Sequence, residues 1–259
     1  MRLFDAGSRV RAPRGSFVPS PIFAGIVAVF VLAGVLAWFQ KGNDRFSVFL
    51  FVVFGWLLSL CLHEYAHALV GYFGGDYGVI HRGYLQLNPF KYVNAVMSIV
   101  LPVIFIIIGG IALPGGAVMI DHHRLRSKRW DTAVSLAGPA VNLIFAVILI
   151  VPFAAGVEVF HHPVFWSAVA YLAFFQVTAA ILNLLPIPGL DGGNAVYPWL
   201  NYEYRRGFDA VRPWGFLLAF ALIYLGRNHI FNWLFDLMGH LGVDQGIIFI
   251  GETLFRFWS

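Results

Sequence analysis

The chain has 259 residues, 59% of them hydrophobic and only 12% charged, with a formal net charge of +4 and a mean hydropathy of +0.77. These values exclude a soluble domain with one anchor and predict a polytopic membrane protein built as a single unit, since no polar stretch is long enough for a separate core. The positive charge clusters at the ends of apolar runs, where it sets topology; no nucleic-acid motif accompanies it, and the lone cysteine, Cys61, excludes an intrachain disulfide.

Residues 1–20 carry Arg2, Arg9, Arg11 and Arg14 against Asp5, which predicts a short, flexible basic arm. It does not read as a cleavable signal, because the apolar run after Pro21 is too long and lacks a small-residue cleavage site. Residues 21–40 are the first predicted span, with Trp38 at the interface. A polar loop, 41–47, leads to a second helix over about 48–73, ended by Gly74-Gly75. Residues 76–88 change character. Apolar positions flank Arg82-Gly83, and the pattern predicts a short β-hairpin or edge strand.

Residues 94–113 are apolar but interrupted by Pro102 and Gly109-Gly110, and the loop after them carries Arg124, Arg126, Lys128 and Arg129. If 94–113 crossed, that basic loop would lie outside, against the positive-inside tendency. A re-entrant segment keeps it cytoplasmic and is the preferred reading. The third helix, 131–157, contains Gly138-Pro139-Ala-Val-Asn142. The fourth, 164–185, ends in Asn183-Leu-Leu-Pro-Ile-Pro-Gly-Leu-Asp191-Gly-Gly-Asn194, a break presenting one carboxylate. Broken helices at membrane depth persist where they are buried or line a wet cavity. A last span is expected over 213–226.

The expected fold is therefore an all-α polytopic membrane protein. It has about five or six transmembrane helices, a re-entrant segment, and a short β-hairpin near the active site. It divides into a basic arm (1–20), a membrane-embedded domain (21–229) and an amphipathic or partly inserted tail (230–259). The charge pattern puts the N-terminus in the cytoplasm, and the inner membrane is the expected location.

The chemistry concentrates in the second helix. From Val48 to Phe73 the only ionisable groups besides Cys61 and two tyrosines are His63, Glu64 and His67. Polar groups at such depth need a partner or a task. In H-E-x-x-H on a helix, the two histidines stand at i and i+4 on one face, offering two nitrogens to one tetrahedral zinc, with Glu64 placed to take a proton from water. The competing reading is a pair of histidines satisfied by polar neighbours. Cys61, two positions before His63, points to another face and reads as a buried packer. A zinc hydrolase needs a third ligand. Asp191 is the best candidate, being the only acidic residue between Glu158 and Glu203 and sitting in a helix break; its competing reading is a cap in a Gly-rich turn. Asp76, His81 and Asp209 are weaker candidates, in segments read as surface loops.

Three blocks in order, His63-Glu64-Tyr-Ala-His67, Ala137-Gly-Pro-Ala-Val-Asn142 and Asn183 to Gly192, give a sequence that resembles the site-2 protease family of intramembrane zinc metalloproteases. The match covers roughly 48–200 and is closest to compact members without an inserted PDZ or CBS domain. The resemblance implies one zinc per chain on His63, His67 and Asp191, Glu64 as the catalytic glutamate, and the Asn142 block lining a site near the cytoplasmic face. It also implies transmembrane proteins or peptides as substrates. On that reading Asn142 either donates a hydrogen bond to the oxyanion or the substrate backbone, or makes an interhelical packing bond. The 76–88 strand is either a platform for unwound substrate by β-augmentation or a plain connecting hairpin. One departure stands out: compact relatives read Leu-Asn-Pro followed by a Lys-His-Ile-Asp-Pro-like run, whereas this chain has Asn88-Pro-Phe-Lys91-Tyr-Val-Asn94.

Other classes compete with this expectation. One is a metal-binding adaptor without proteolytic activity. Another is a redox protein using His122-His123 or His161-His162, although adjacent histidines do not share a helix face. The third is a transporter built on the broken helix, for which no repeated half exists.

Overall fold

The computed structural model describes Pro13, residues 15–92 and residues 118–258. The segment 94–113, read above as re-entrant, lies outside the described residues, as does most of the N-terminal arm.

The described elements are helical. Helix α1 (Pro21–Phe39) begins where Pro21 follows a Ser20 cap whose hydroxyl accepts from the Phe23 N–H. Helix α2 (Asp44–Gly74) starts at the Asn43 cap and ends at Gly75, whose φ of 121° leaves the helical region. It therefore starts inside the predicted polar loop and runs 31 residues, roughly 46 Å at 1.5 Å per residue, longer than a bilayer's hydrocarbon core. Helix α3 (Lys128–Ala154) is capped by Ser127 and carries Pro139 and Pro152 within it. Helix α4 (Pro163–Leu184) follows, then the short α5 (Asp191–Val196), α6 (Tyr202–Val211), α7 (Gly215–Leu225), α8 (Arg227–His240) and α9 (Gln245–Phe255). Helices α1 to α4 are each long and apolar enough to cross a membrane.

The fifth span expected over 213–226 takes a different form. Helix α7 has 11 residues, about 16 Å, which is too short to cross alone. It is bent by 75° from the preceding helical stretch, Tyr202–Trp214, and the two count as a fifth span only when taken together.

Helix α4 is the most buried of the four long apolar helices, packed against α2, α3 and α9. Lipid is as apolar as leucine, so burial of apolar surface gives membrane helices little reason to associate; close packing through small residues does. Helix α4 supplies Ala168, Ala170, Ala173, Ala179 and Ala180, all buried. Gly55 of α2 lets Leu172 and Phe30 approach, and Gly251 of α9 lies against the Ser167 carbonyl. The tail is not peripheral: Ile248 and Phe255 of α9 and Met238 of α8 belong to the same core as Phe51, Trp56 and Phe175.

The predicted β-hairpin at 76–88 is corrected. Residues Gly78–His81 form one α-helical turn and Tyr84–Gln86 a 3-10 turn. Gly83 and Leu87 take φ values of 70° and 53°, in the left-handed region that interrupts an extended strand. Val79, Tyr84 and Leu85 are buried against Ala68 of α2. The same apolar spacing that suggests a strand thus serves two tight turns folded onto a helix. Asp76, read from sequence as a surface residue, is completely buried. Its carboxylate accepts from the Gly78 N–H (2.9 Å), the Asp121 N–H (2.9 Å) and the Arg82 guanidinium (3.3 Å). Those bonds fold the turn and tie it to the 118–124 strap, and Arg82 also donates to the Met119 carbonyl.

Candidate metal centre

Helix α2 carries His63 and His67 one turn apart on the face turned toward α3, and both are buried. The His63 Nδ1–H donates to the Asn142 Oδ1 (2.5 Å), and the His67 Nδ1–H donates to the Val134 carbonyl (2.6 Å). Both acceptors lie on α3. Committing each Nδ1–H to an oxygen fixes the tautomer and leaves each Nε2 lone pair available. Pro139 has no N–H to offer the carbonyl of Ser135, so the α3 ladder is interrupted one residue from the carbonyl that takes the His67 proton.

Asp191 arrives from the other side. The chain leaves α4 at Leu184, turns through Gly189 at a φ of 94°, and re-enters a helix at Asp191 itself. Gly192 and Gly193 permit this because a Cβ on either would collide with the carbonyls of Leu184, Leu185 and Ile187. Helix α5 is anchored to α3 through Thr132, whose hydroxyl donates to the Ala195 carbonyl (2.9 Å) and accepts from the Trp199 indole (2.8 Å).

The result is three converging donor atoms. His63 Nε2 and His67 Nε2 stand 3.0 Å apart, and Asp191 Oδ2 lies 3.2 and 3.4 Å from them. Ligand atoms around a four-coordinate zinc, at bonds of about 2.0–2.2 Å, are roughly 3.3 Å from one another. Two imidazole lone pairs and a carboxylate oxygen at these separations repel unless a cation lies among them. This is the only such donor group among the described residues. Two imidazoles and one carboxylate, with a fourth position open to a cavity, are the donor set of a hydrolytic zinc, and the residues fit that ion.

The centre opens onto a cavity of about 120 Å³ lined by Glu64, His67, Asp191, Ser135, His122 and Asn194 among others. Glu64 is buried and its Oε2 accepts from the Val118 N–H at 2.9 Å. The structure thus brings together His63, Glu64, His67 and Asp191 from segments that are distant in sequence.

Asn142 stands behind His63, not in the cavity. Its Nδ2 donates to Ser59 Oγ and Gln176 Oε1, each at 3.0 Å, and the Ser59 hydroxyl donates to Gln176 Oε1 at 2.6 Å. Both ends of the amide are thus engaged, one by the His63 ring and the other by Ser59 and Gln176. Asn142→Ala is expected to weaken zinc binding by about 10–100-fold, the usual effect of losing an outer-shell partner. Competition with a graded chelator series reads this, and unchanged affinity would detach Asn142 from the centre.

His81 and Asp209 are exposed, and Asp209 accepts instead from the Tyr197 hydroxyl (2.9 Å). The adjacent histidine pairs do not converge on a common ligand: His122 bonds Asp131, His161 pairs with Glu158, and His162 stacks on Trp38. Sequence reasoning gave Gly138 no part of its own beyond membership of the Asn142 block. A Cβ there would meet the ring nitrogens of both His63 and His67. The available signal was a glycine inside an otherwise bulky apolar helix, four residues before Asn142 and therefore on the same face.

A protein named "Putative zinc metalloprotease Rip2" in Mycolicibacterium smegmatis is 44% identical to this chain over 258 residues, covering 96% of this chain and 98% of its own length. The protein of that name in Mycobacterium tuberculosis is 43% identical over 257 residues, covering 95% and 96%. "Putative zinc metalloprotease YwhC" of Bacillus subtilis is 28% identical over 201 residues, covering 69% of this chain and 84% of its own length. No family model and no solved structure matches the chain.

Proposed function

We propose, for a chain that belongs to the site-2 protease family of zinc metalloproteases, hydrolysis of peptide bonds in or near the transmembrane segments of membrane-protein substrates. The observation that carries this reading is the place of the motif in an apolar helix long enough to cross a membrane. His63, Glu64 and His67 lie in the latter half of a spanning helix, and each is less than a tenth exposed. A substrate reaching them comes through the bilayer or along its surface. A helical substrate must also unwind first, because its backbone groups are satisfied internally.

Bound zinc supplies Lewis acidity, lowering the pKa of a water toward about 7 and polarising a carbonyl. Glu64 takes the proton of the attacking water and returns it to the leaving amine. The Val118 N–H holds the Glu64 carboxylate in place for this. Asn142 and the Val134 carbonyl keep the two imidazoles in the ligating tautomer. Asp76 fixes the strap that carries Val118 and His122.

Charge supports the proposed membrane orientation. Arg126 N donates to the Gly74 carbonyl at the end of α2. Lys128 lies over the Trp199 ring, and Arg205 and Arg212 lie over Tyr197. The basic loops therefore gather at the end of the bundle that holds the metal centre, which by the positive-inside tendency supports a cytoplasmic location for that end and for the start of α1.

The first test is the zinc content of detergent-purified wild type beside Asp191→Ala and His67→Ala, together with cleavage of a transmembrane peptide in vesicles. About one zinc per chain is expected in wild type, lost in both variants, with cleavage only where zinc is retained. Zinc-loaded wild type that cuts soluble peptides but not membrane peptides would refute the proposed substrate class.

A further inference from the structure

We infer that His122, held by Asp131, is a catalytic residue whose Nε2–H donates a hydrogen bond to the oxyanion developing on the scissile carbonyl. This rests on the proteolytic reading above. His122 lines the same cavity as Glu64, His67 and Asp191. It sits in a 3-10 turn, His122–Arg124, capped by Asp121, whose Oδ1 accepts from the His123 N–H at 3.2 Å. That turn is anchored through the Asp121 N–H to the buried Asp76, so the histidine rides on a fixed strap. Its Nδ1–H donates to the Asp131 Oδ1 on α3 at 2.6 Å. Asp131 is the more buried partner, its side chain 17% exposed against 51% for His122. The pairing leaves Nε2 as the nitrogen facing no protein partner among the described residues.

The reaction needs such a group. A tetrahedral intermediate carries negative charge on the former carbonyl oxygen, and donors aimed at that atom are among the largest contributors to rate. Asn142 cannot serve, since its amide is engaged at both ends. The Ser135 hydroxyl donates to the Asp131 carbonyl. Asn194 lines the cavity but is neutral, and its Oδ1 accepts from Arg212. The proposed role takes His122 in its imidazolium form, which has two N–H groups: one stays on Asp131 and the other is offered to substrate. The titratable groups that share its cavity or bond to it are Glu64 and His67 on α2, Asp191 on α5 and Asp131 on α3. Arg124, in its own turn, is paired to Asp121 at 2.9 Å.

The test compares purified zinc-loaded wild type with His122→Ala, His122→Gln and Asp131→Asn. The readouts are zinc content, kcat and KM on a membrane peptide, and affinity for a phosphinic pseudopeptide, whose anionic oxygen stands where the oxyanion would be. Zinc content and KM should stay within about twofold, while kcat and pseudopeptide affinity both fall by about 10²-fold in His122→Ala. His122→Gln, which keeps a neutral donor, should recover about tenfold of that loss, and Asp131→Asn should lose about tenfold. A His122→Ala enzyme within threefold of wild type in kcat, or one that loses zinc in parallel with activity, overturns the assignment. If wild type cuts no membrane peptide, the proteolytic reading fails by itself. The pseudopeptide affinities still decide the role of His122: equal affinity in wild type and His122→Ala overturns it, and the 10²-fold drop upholds it.

Discussion

Glu64→Gln is expected to keep the zinc and lower peptide cleavage by about 10²–10⁴-fold, the range a positioned proton-transfer group contributes. The substitution separates chemistry from architecture. A glutamine oxygen still accepts from the Val118 N–H, which the Glu64 carboxylate holds at 2.9 Å, so the strap stays docked. The shape of the buried side chain is nearly unchanged, and no charge is left unpaired at membrane depth. What disappears is a base able to take a proton from water and return it to the amine. Single-turnover cleavage of a membrane peptide by zinc-loaded Glu64→Gln reads the effect directly. A variant that cuts within tenfold of wild type would remove Glu64 from the reaction.

Gly138→Ala should strip the centre of zinc while the helices remain folded. A Cβ at this position lies 2.5 Å from His63 Nε2, and it also meets His67 Nε2. The rings have nowhere to retreat, because their Nδ1 atoms are tied to Asn142 at 2.5 Å and to the Val134 carbonyl at 2.6 Å. Both anchors ride on α3 along with Gly138, so sliding that helix away breaks them. The loss of affinity should therefore exceed the roughly 10–100-fold expected of a single outer-shell change. Gly25→Ala on α1 is the control, since a Cβ there meets nothing within 4 Å. Metal content and helicity measured on both variants check this. Normal zinc in Gly138→Ala would mean that α3 does not approach the histidines this closely.

Local pattern was enough for much of this protein. Four apolar runs of spanning length became α1 to α4, because a run of about 20 residues without charge has few other solutions in lipid. The spacing of His63 and His67 was enough to place both rings on one face, since i and i+4 are neighbours on any helix. Asp191 was legible as a carboxylate in a helix break, because Pro and Gly announce breaks without help from the rest of the fold.

Tertiary structure decided what depends on distances between elements. The 76–88 stretch has an apolar spacing compatible with a strand, and short apolar runs do not distinguish strand from turn. The buried Asp76 carboxylate settled the matter by collecting the N–H groups of Gly78 and Asp121 together with Arg82. The neighbours of Asn142 could not be read until α2, α3 and α4 came together, because only their separation brings His63 to its Oδ1 and Ser59 and Gln176 to its Nδ2. The C-terminal tail, amphipathic or partly inserted as a sequence, joins the core through Met238, Ile248 and Phe255, with Gly251 letting α9 rest on the Ser167 carbonyl of α4. Periodicity tells which face of a helix a residue occupies; how close the next helix comes is set by the small residues of both partners, and that closeness fixes the tautomers and donor positions on which the chemistry depends.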